Sequence, residues 1–215
     1  MTQTTLLRTL ALIGTLLMGG CSAISAISGA TSPLAVYELR APVAGLIASR
    51  GRSSRNLVVE LPGASGALNT DRIMIRPSAL QAEYLPEARW ADPTPEMLQT
   101  LILRSLENTQ ALRYVGRKPL GPGGDVALLS EVTDFQAELS GSTGARINLR
   151  IIARIVREED TRVIATRIFT ASAEIVSTDT AAIVEGFDIA TAALLTELTG
   201  WTMATLQIGL RSPAS

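Results

Sequence analysis

Arg146-Ile147-Asn148-Leu149-Arg150-Ile151-Ile152-Ala153-Arg154-Ile155-Val156 is the stretch that decides the fold. Successive side chains of a strand point to opposite faces of a sheet. Ile147, Leu149, Ile151, Ala153 and Ile155 therefore share one face, while Asn148, Arg150 and Arg154 share the other, with Ile152 as an exception. One covered and one solvated face is the pattern of an antiparallel sheet. Residues 126–139 before this stretch and 162–176 after it read as two further long strands. Arg157-Glu158-Glu159-Asp160-Thr161 supplies a charged hairpin tip between the last two. The arginines of the open face are read as solvated in preference to a lipid-headgroup site, although a row of them would also suit an acidic partner.

Towards the C-terminus, residues 179–206 read as a long amphipathic helix. Ile183, Phe187, Ala190, Leu194, Leu198 and Trp201 recur at three or four residues and mark its buried stripe. Trp201 is assigned to the core, with a contact between copies of the chain as the alternative; a homo-oligomer is left open. Towards the N-terminus, Met97, Leu98, Leu101, Ile102 and Leu106 predict a second helix over 95–108. Asp92 or Thr94 is placed to cap it, and Pro93 or Pro95 suits its first position. Shorter strands precede it: 36–39, 57–61, 71–76 and 81–85, separated by Pro- and Gly-rich turns. Residues 41–55, with Arg50, Arg52 and Arg55, read as a solvated loop, and contact with anionic lipid is the weaker alternative. The predicted fold is α+β: a single domain, a mostly antiparallel sheet, and two main helices packed on one face. Long consecutive strands joined by short turns argue against a doubly wound parallel sheet, which needs a helix in each crossover.

Composition excludes several functions. The chain has 215 residues, 19 Lys and Arg against 20 Asp and Glu, and a formal net charge of −1. Nucleic-acid binding carries a basic footprint, so no nucleic-acid partner is expected. No histidine is present, which removes the commonest general base and metal ligand together. Ser-His-Asp and Cys-His hydrolysis are thereby excluded, and no catalytic residue, metal or cofactor is assigned. Leu120-Gly121-Pro122-Gly123-Gly124 is a surface turn: neither the P-loop Lys-Ser/Thr pair nor dinucleotide-fingerprint spacing follows it.

Residues 1–20 have the layout of a secretory signal. Arg8 gives the positive region, residues 10–18 the apolar run, and Gly19-Gly20 the small residues before a cleavage point. The apolar run is too short for a permanent membrane span. Cys21, the lone cysteine, follows directly. Leu16-Leu17-Met18-Gly19-Gly20-Cys21 reads as a lipobox, with Met18 where Leu is commoner, so Cys21 is the expected lipidation site. Residues 21–33 then form the lipidated N-terminus and a flexible tether, and 34–210 the folded domain. Ser22, with no acidic residue after the cysteine, favours the outer membrane over the inner.

In order along the chain, these features resemble the ABC-type transport auxiliary lipoproteins, the group that includes the paraquat-inducible C lipoproteins. The resemblance rests on the lipobox ending at Cys21, the Tyr37-Glu38-Leu39 strand and Asp71-Arg72-Ile73-Met74-Ile75-Arg76. After these come Tyr84, Arg89-Trp90-Ala91 ahead of a leucine-rich helix, Val132-Thr133-Asp134-Phe135 and the closing helix. It implies a non-catalytic envelope lipoprotein, which with Ser22 is expected at the periplasmic face of the outer membrane, lipid-anchored, and less so at the inner membrane. It further implies partners: an MCE-domain protein and ABC transporter subunits that move hydrophobic substrates between the two membranes. Tyr84, Arg89 and Trp90 are the candidate partner contacts, because Tyr, Arg and Trp dominate interface energetics; Trp90 has the alternative role of stapling the incoming chain onto the next helix. A structural or assembly lipoprotein without a transporter partner is the second reading, and an enzyme is a distant third.

Overall fold

The computed structural model describes residues 34–42, 47–120, 125–141 and 143–212. The signal, Cys21, the tether and the turn at Gly121–Gly124 lie outside the described residues. The chain divides into two units, Met1–Ala35 and Val36–Ser215, and the architecture below is that of the second.

The elements run β1 (Ala35–Tyr37), β2 (Ile47–Ala48), β3 (Ser53–Val59), β4 (Gly63–Ala64), β5 (Arg72–Ser78), β6 (Gln81–Trp90), α1 (Thr94–Asn108), β7 (Leu112–Gly116), β8 (Val126–Ser140), β9 (Gly144–Arg157), β10 (Arg162–Ile175), α2 (Thr180–Thr205) and β11 (Leu210–Arg211). The fold is α+β, as the patterning predicts. Two helices lie on a sheet whose longest pairings, β8 with β9 and β9 with β10, are antiparallel.

β8 is the backbone of the sheet. Along one edge it pairs with β9 over nearly its full length, from Val126 opposite Arg157 to Ser140 opposite Gly144. The other edge is shared by three shorter strands in succession, all parallel to it. Leu57 of β3 faces Val126, Gly63 of β4 faces Glu131, and Ile75 of β5 faces Ala137. The sheet therefore branches, with β7 outside β3 at one end and β6 then β1 outside β5 at the other. These parallel pairs are a difference from the expected architecture in detail. They arise because the chain reaches α1 and returns through β7 before β8 is laid down alongside β3–β5.

Alternation in β9 holds from Gly144 to Val156: Ile147, Leu149, Ile151, Ala153 and Ile155 are buried, and their even-numbered neighbours are half-buried or exposed. The covered face lies against α2 and α1. The α2 stripe of Ile183, Phe187, Ala190, Leu194 and Leu198 is buried, and all five apolar residues predicted for α1 are buried with it. Trp201 is half-buried and meets Phe169 of β10 edge to face, with centroids 5.4 Å apart. Neither predicted cap forms: no side chain caps α1, and the Thr94 hydroxyl donates instead to the Thr70 carbonyl at 3.2 Å. Pro95 does occupy the first turn, where a missing N–H costs no hydrogen bond.

Gly186 sets how closely α2 approaches the sheet. A Cβ there would lie 2.5 Å from Ile175 Cδ1 and 2.8 Å from Ile147 Cγ1. Overpacking of this kind costs about 1–3 kcal/mol, against about 1 kcal/mol gained from helix propensity when Gly becomes Ala. Gly186→Ala is accordingly expected to lower the denaturation free energy by up to about 2 kcal/mol in urea titrations. A gain in stability would show that α2 can slide away from Ile147.

Candidate functional site

The three predicted contact residues all lie on β6, which runs back along β5. Three residues of β5, Arg72 to Met74, face six of β6, Arg89 to Tyr84. The surplus is absorbed as a bulge around Pro86 and Glu87, the latter with a left-handed φ of 56°. A bulge re-aims side chains, and here it separates the fates of the three.

Trp90 does not reach the surface. It is fully buried, with Phe187 of α2 at 5.2 Å and Phe135 of β8 at 6.1 Å between ring centroids, both edge-on. Its backbone N–H donates to the Asp71 carbonyl at 2.7 Å. Its aromatic contacts join β6 to β8 and α2 rather than to the helix that follows, and a side chain inside the core offers a partner nothing. Arg89 is at the surface and half-buried, holding Asp71 at 3.1 Å through Nη1. Tyr84 is half-buried too. Its hydroxyl donates to the Ala67 carbonyl at 3.0 Å, and the Arg72 guanidinium lies over its ring, 5.5 Å from the centroid. Tyr84 and Arg89 thus fasten the loop 65–71 to the hairpin and keep only part of their surface for a partner.

The open sheet face brings together the arginines of β9. Arg146 pairs with Glu174, and Arg150 donates through Nη1 to Thr133 Oγ1 at 3.2 Å. Across the strands, Glu138 faces Arg146 and Asp134 faces Arg150. Gln136, buried between them, donates to Asp134 Oδ1 at 3.2 Å and accepts from the Phe135 N–H at 2.8 Å. Arg76, Arg146, Arg150 and Arg154 are thus interleaved with Glu131, Asp134, Glu138 and Glu174. The face is charged but locally balanced, as a solvated sheet face should be. The Thr133–Gln136 network was not legible in the sequence, because a bulge between Val132 and Asp134 decides which of these side chains turn outward.

An open depression of about 410 Å³ beside Arg76 is lined by Asp134 and Glu138. Carboxylates four positions apart on one strand are separated by about 13 Å along it, beyond the roughly 5–9.5 Å at which acid–base pairs flank a scissile bond. No group of three or more Asp, Glu or Cys that could hold a metal occurs among the described residues. No helix there is long and apolar enough to cross a membrane.

One face of the sheet lies under two helices, and aromatic and aliphatic side chains fill the interior between them. Residues 37–199 match the ABC-type transport auxiliary lipoprotein component family, and the chain belongs to that family. An uncharacterised protein of Bradyrhizobium diazoefficiens is 29% identical over 175 residues, which is 81% of this chain and 46% of that protein. This chain therefore spans about half the length of that relative. The crystal structure of XCC0632 from Xanthomonas campestris, a DUF330 protein, is 29% identical and superposes with a TM-score of 0.71 over 80% of this chain and 96% of that one. A further crystal structure of an uncharacterised protein shares the fold at 16% identity, with a TM-score of 0.61 over 80% of this chain and 99% of that one.

Proposed function

We propose that this protein is a non-catalytic lipoprotein, anchored through Cys21 at the periplasmic face of the outer membrane, that docks an MCE-type ABC system moving lipid between the membranes. The family match across residues 37–199 carries this reading. Two observations support it: the sequence places a lipobox ahead of the domain, and the domain interior is packed with side chains. A lipid anchor raises the local concentration of a periplasmic partner without any new contact. Tyr84 and Arg89 remain the proposed edge of the partner surface, with their partly exposed rings and guanidinium.

Affinity purification from detergent-solubilised envelopes tests the reading. The ATPase, the permease and an MCE protein should be recovered together with the tagged chain, and Arg89→Glu should reduce that recovery. Recovery of none of them would leave an assembly lipoprotein without a transporter partner as the better account.

A further inference from the structure

We infer that the trough between residues 49–55 and the C-terminal end of α2 docks the domain on anionic phospholipid headgroups. The trough, about 520 Å³, is lined by Arg50, Arg52 and Arg55 together with Ser49, Gln207 and Gly209, and no carboxylate lines it. Arg50 and Arg52 are exposed and Arg55 is half-buried.

Its walls are built rather than loose. Ala48 N–H donates to the Thr109 carbonyl at 2.9 Å, Ser49 N–H to Gly209 at 2.9 Å and Ser53 N–H to Ala111 at 2.8 Å. β2 pairs with β11 just before the arginines begin. Gly51, with a φ of 63°, turns the chain between Arg50 and Arg52. Gly209 leaves room for Ser49, whose Oγ would stand 2.5 Å from a Cβ there. The guanidiniums are thus displayed from backbone held at both helix ends.

An alternative use for these charges is to complement the helix ends themselves. The last turn of α2 closes with Ile208 N–H on the Met203 carbonyl at 2.8 Å and Gln207 in the left-handed region. A helix C-terminus carries about half a negative elementary charge. Even counting the ends of both α1 and α2, that leaves roughly two of the three positive charges uncompensated. The neighbouring groove along β7 adds Glu107 and Arg113, which cancel.

Phosphate suits what remains. Arginine presents a planar fork that holds phosphate oxygens bidentately. A protein partner would look for desolvated aromatic or aliphatic anchors, whereas Leu206 is buried beneath the trough and Ile208 only half-exposed. Contact with a headgroup layer needs the charge alone. This inference draws on the anchored-lipoprotein reading only for proximity to a bilayer.

The test uses the chain from position 21 onward, which contains the whole Val36–Ser215 unit, carrying Cys21→Ser so that it bears no lipid. It is sedimented with phosphatidylcholine vesicles that contain or lack phosphatidylglycerol. Binding to the anionic vesicles should appear and fall as salt rises. Arg50→Ala, Arg52→Ala and Arg55→Ala combined should weaken it about 100-fold, since each arginine near an anionic surface contributes roughly fivefold. Arg154→Ala, Arg157→Ala and Arg162→Ala combined remove the same charge elsewhere and should leave binding within about threefold of wild type. Arg52→Glu alone, at one exposed position, should weaken it about 25-fold and guards against misfolding of the triple variant. No binding to anionic vesicles, or equal losses in both triple variants, would overturn the inference. Displacement by inorganic phosphate would also do so, since it would mark a free-anion site, and so would binding only to a protein recovered from envelopes. Transporter subunits are absent from this assay, so its failure and that of the transporter reading are separate results.

Discussion

Trp90→Ala is expected to lower the unfolding free energy by about 3–5 kcal/mol, the range for emptying a buried aromatic site. Trp90 is fully buried and joins three elements: it carries β6, touches Phe135 of β8, and touches Phe187 of α2. Phe135 and Phe187 also meet each other at 5.0 Å. The alanine variant would open a cavity at the centre of that triangle, and aromatic pairs contribute about 0.5–1.5 kcal/mol each beyond the buried area. Domains are stable by only about 5–15 kcal/mol, so this loss is a large share. In thermal unfolding it corresponds to a midpoint lower by about 10 °C for a chain of this size. Trp90→Phe should recover much of it. A surface role predicts the reverse, an unchanged midpoint with impaired partner recovery, and that result would contradict the buried position.

The faces of the sheet were legible because period-two alternation needs only local sequence. Ile147 to Ile155 shows it, and the helix stripes at Met97–Leu106 and Ile183–Leu198 follow from the 3.6-residue period in the same way. Partners of strands were not legible. Nothing within Leu57-Val58-Val59 says that it will lie parallel to Val126-Ala127-Leu128, which enters the chain only after α1 and β7. β6 reads as ending near Leu85 because Pro86 interrupts it, yet the strand continues to Trp90. Proline is tolerated at a bulge, where its absent N–H is not needed by the ladder.

Chemistry was legible by residue type and not by place. Tyr84, Arg89 and Trp90 looked alike as interface residues, and only the turn of the chain at Glu87 sends one inward and leaves two at the surface. Arg50, Arg52 and Arg55 look like an ordinary solvated loop. Their setting depends on Gly209, some 160 positions later, and no short-range pattern links the two. Signals of that range lie in tertiary contact alone.

Cys21→Ser is expected to abolish lipid labelling altogether and to leave the precursor uncut by lipoprotein signal peptidase. Cys21 lies outside the described residues, and the expectation rests on the sequence around it. The lipobox reading requires the thiol to take a diacylglycerol before cleavage, and a serine hydroxyl is not a substitute for that nucleophile. The consequence for location follows from chain counting. Each buried methylene contributes about 0.8 kcal/mol, and one acyl chain gives only reversible binding where several hold firmly. The serine variant therefore loses every acyl chain at once, and its uncut precursor is held only by the apolar signal segment. Radiolabelled palmitate, the mass of the processed N-terminus and fractionation between membrane and soluble pools report the three steps separately. In the chain from position 21 onward carrying Cys21→Ser, which has neither signal segment nor acyl chains, membrane association should be salt-sensitive and vanish with the trough arginines, because electrostatic contact is screened while acyl burial is not. A mature N-terminus at a position other than 21 in the wild-type protein would remove the anchor, and with it the basis for holding this domain at a membrane.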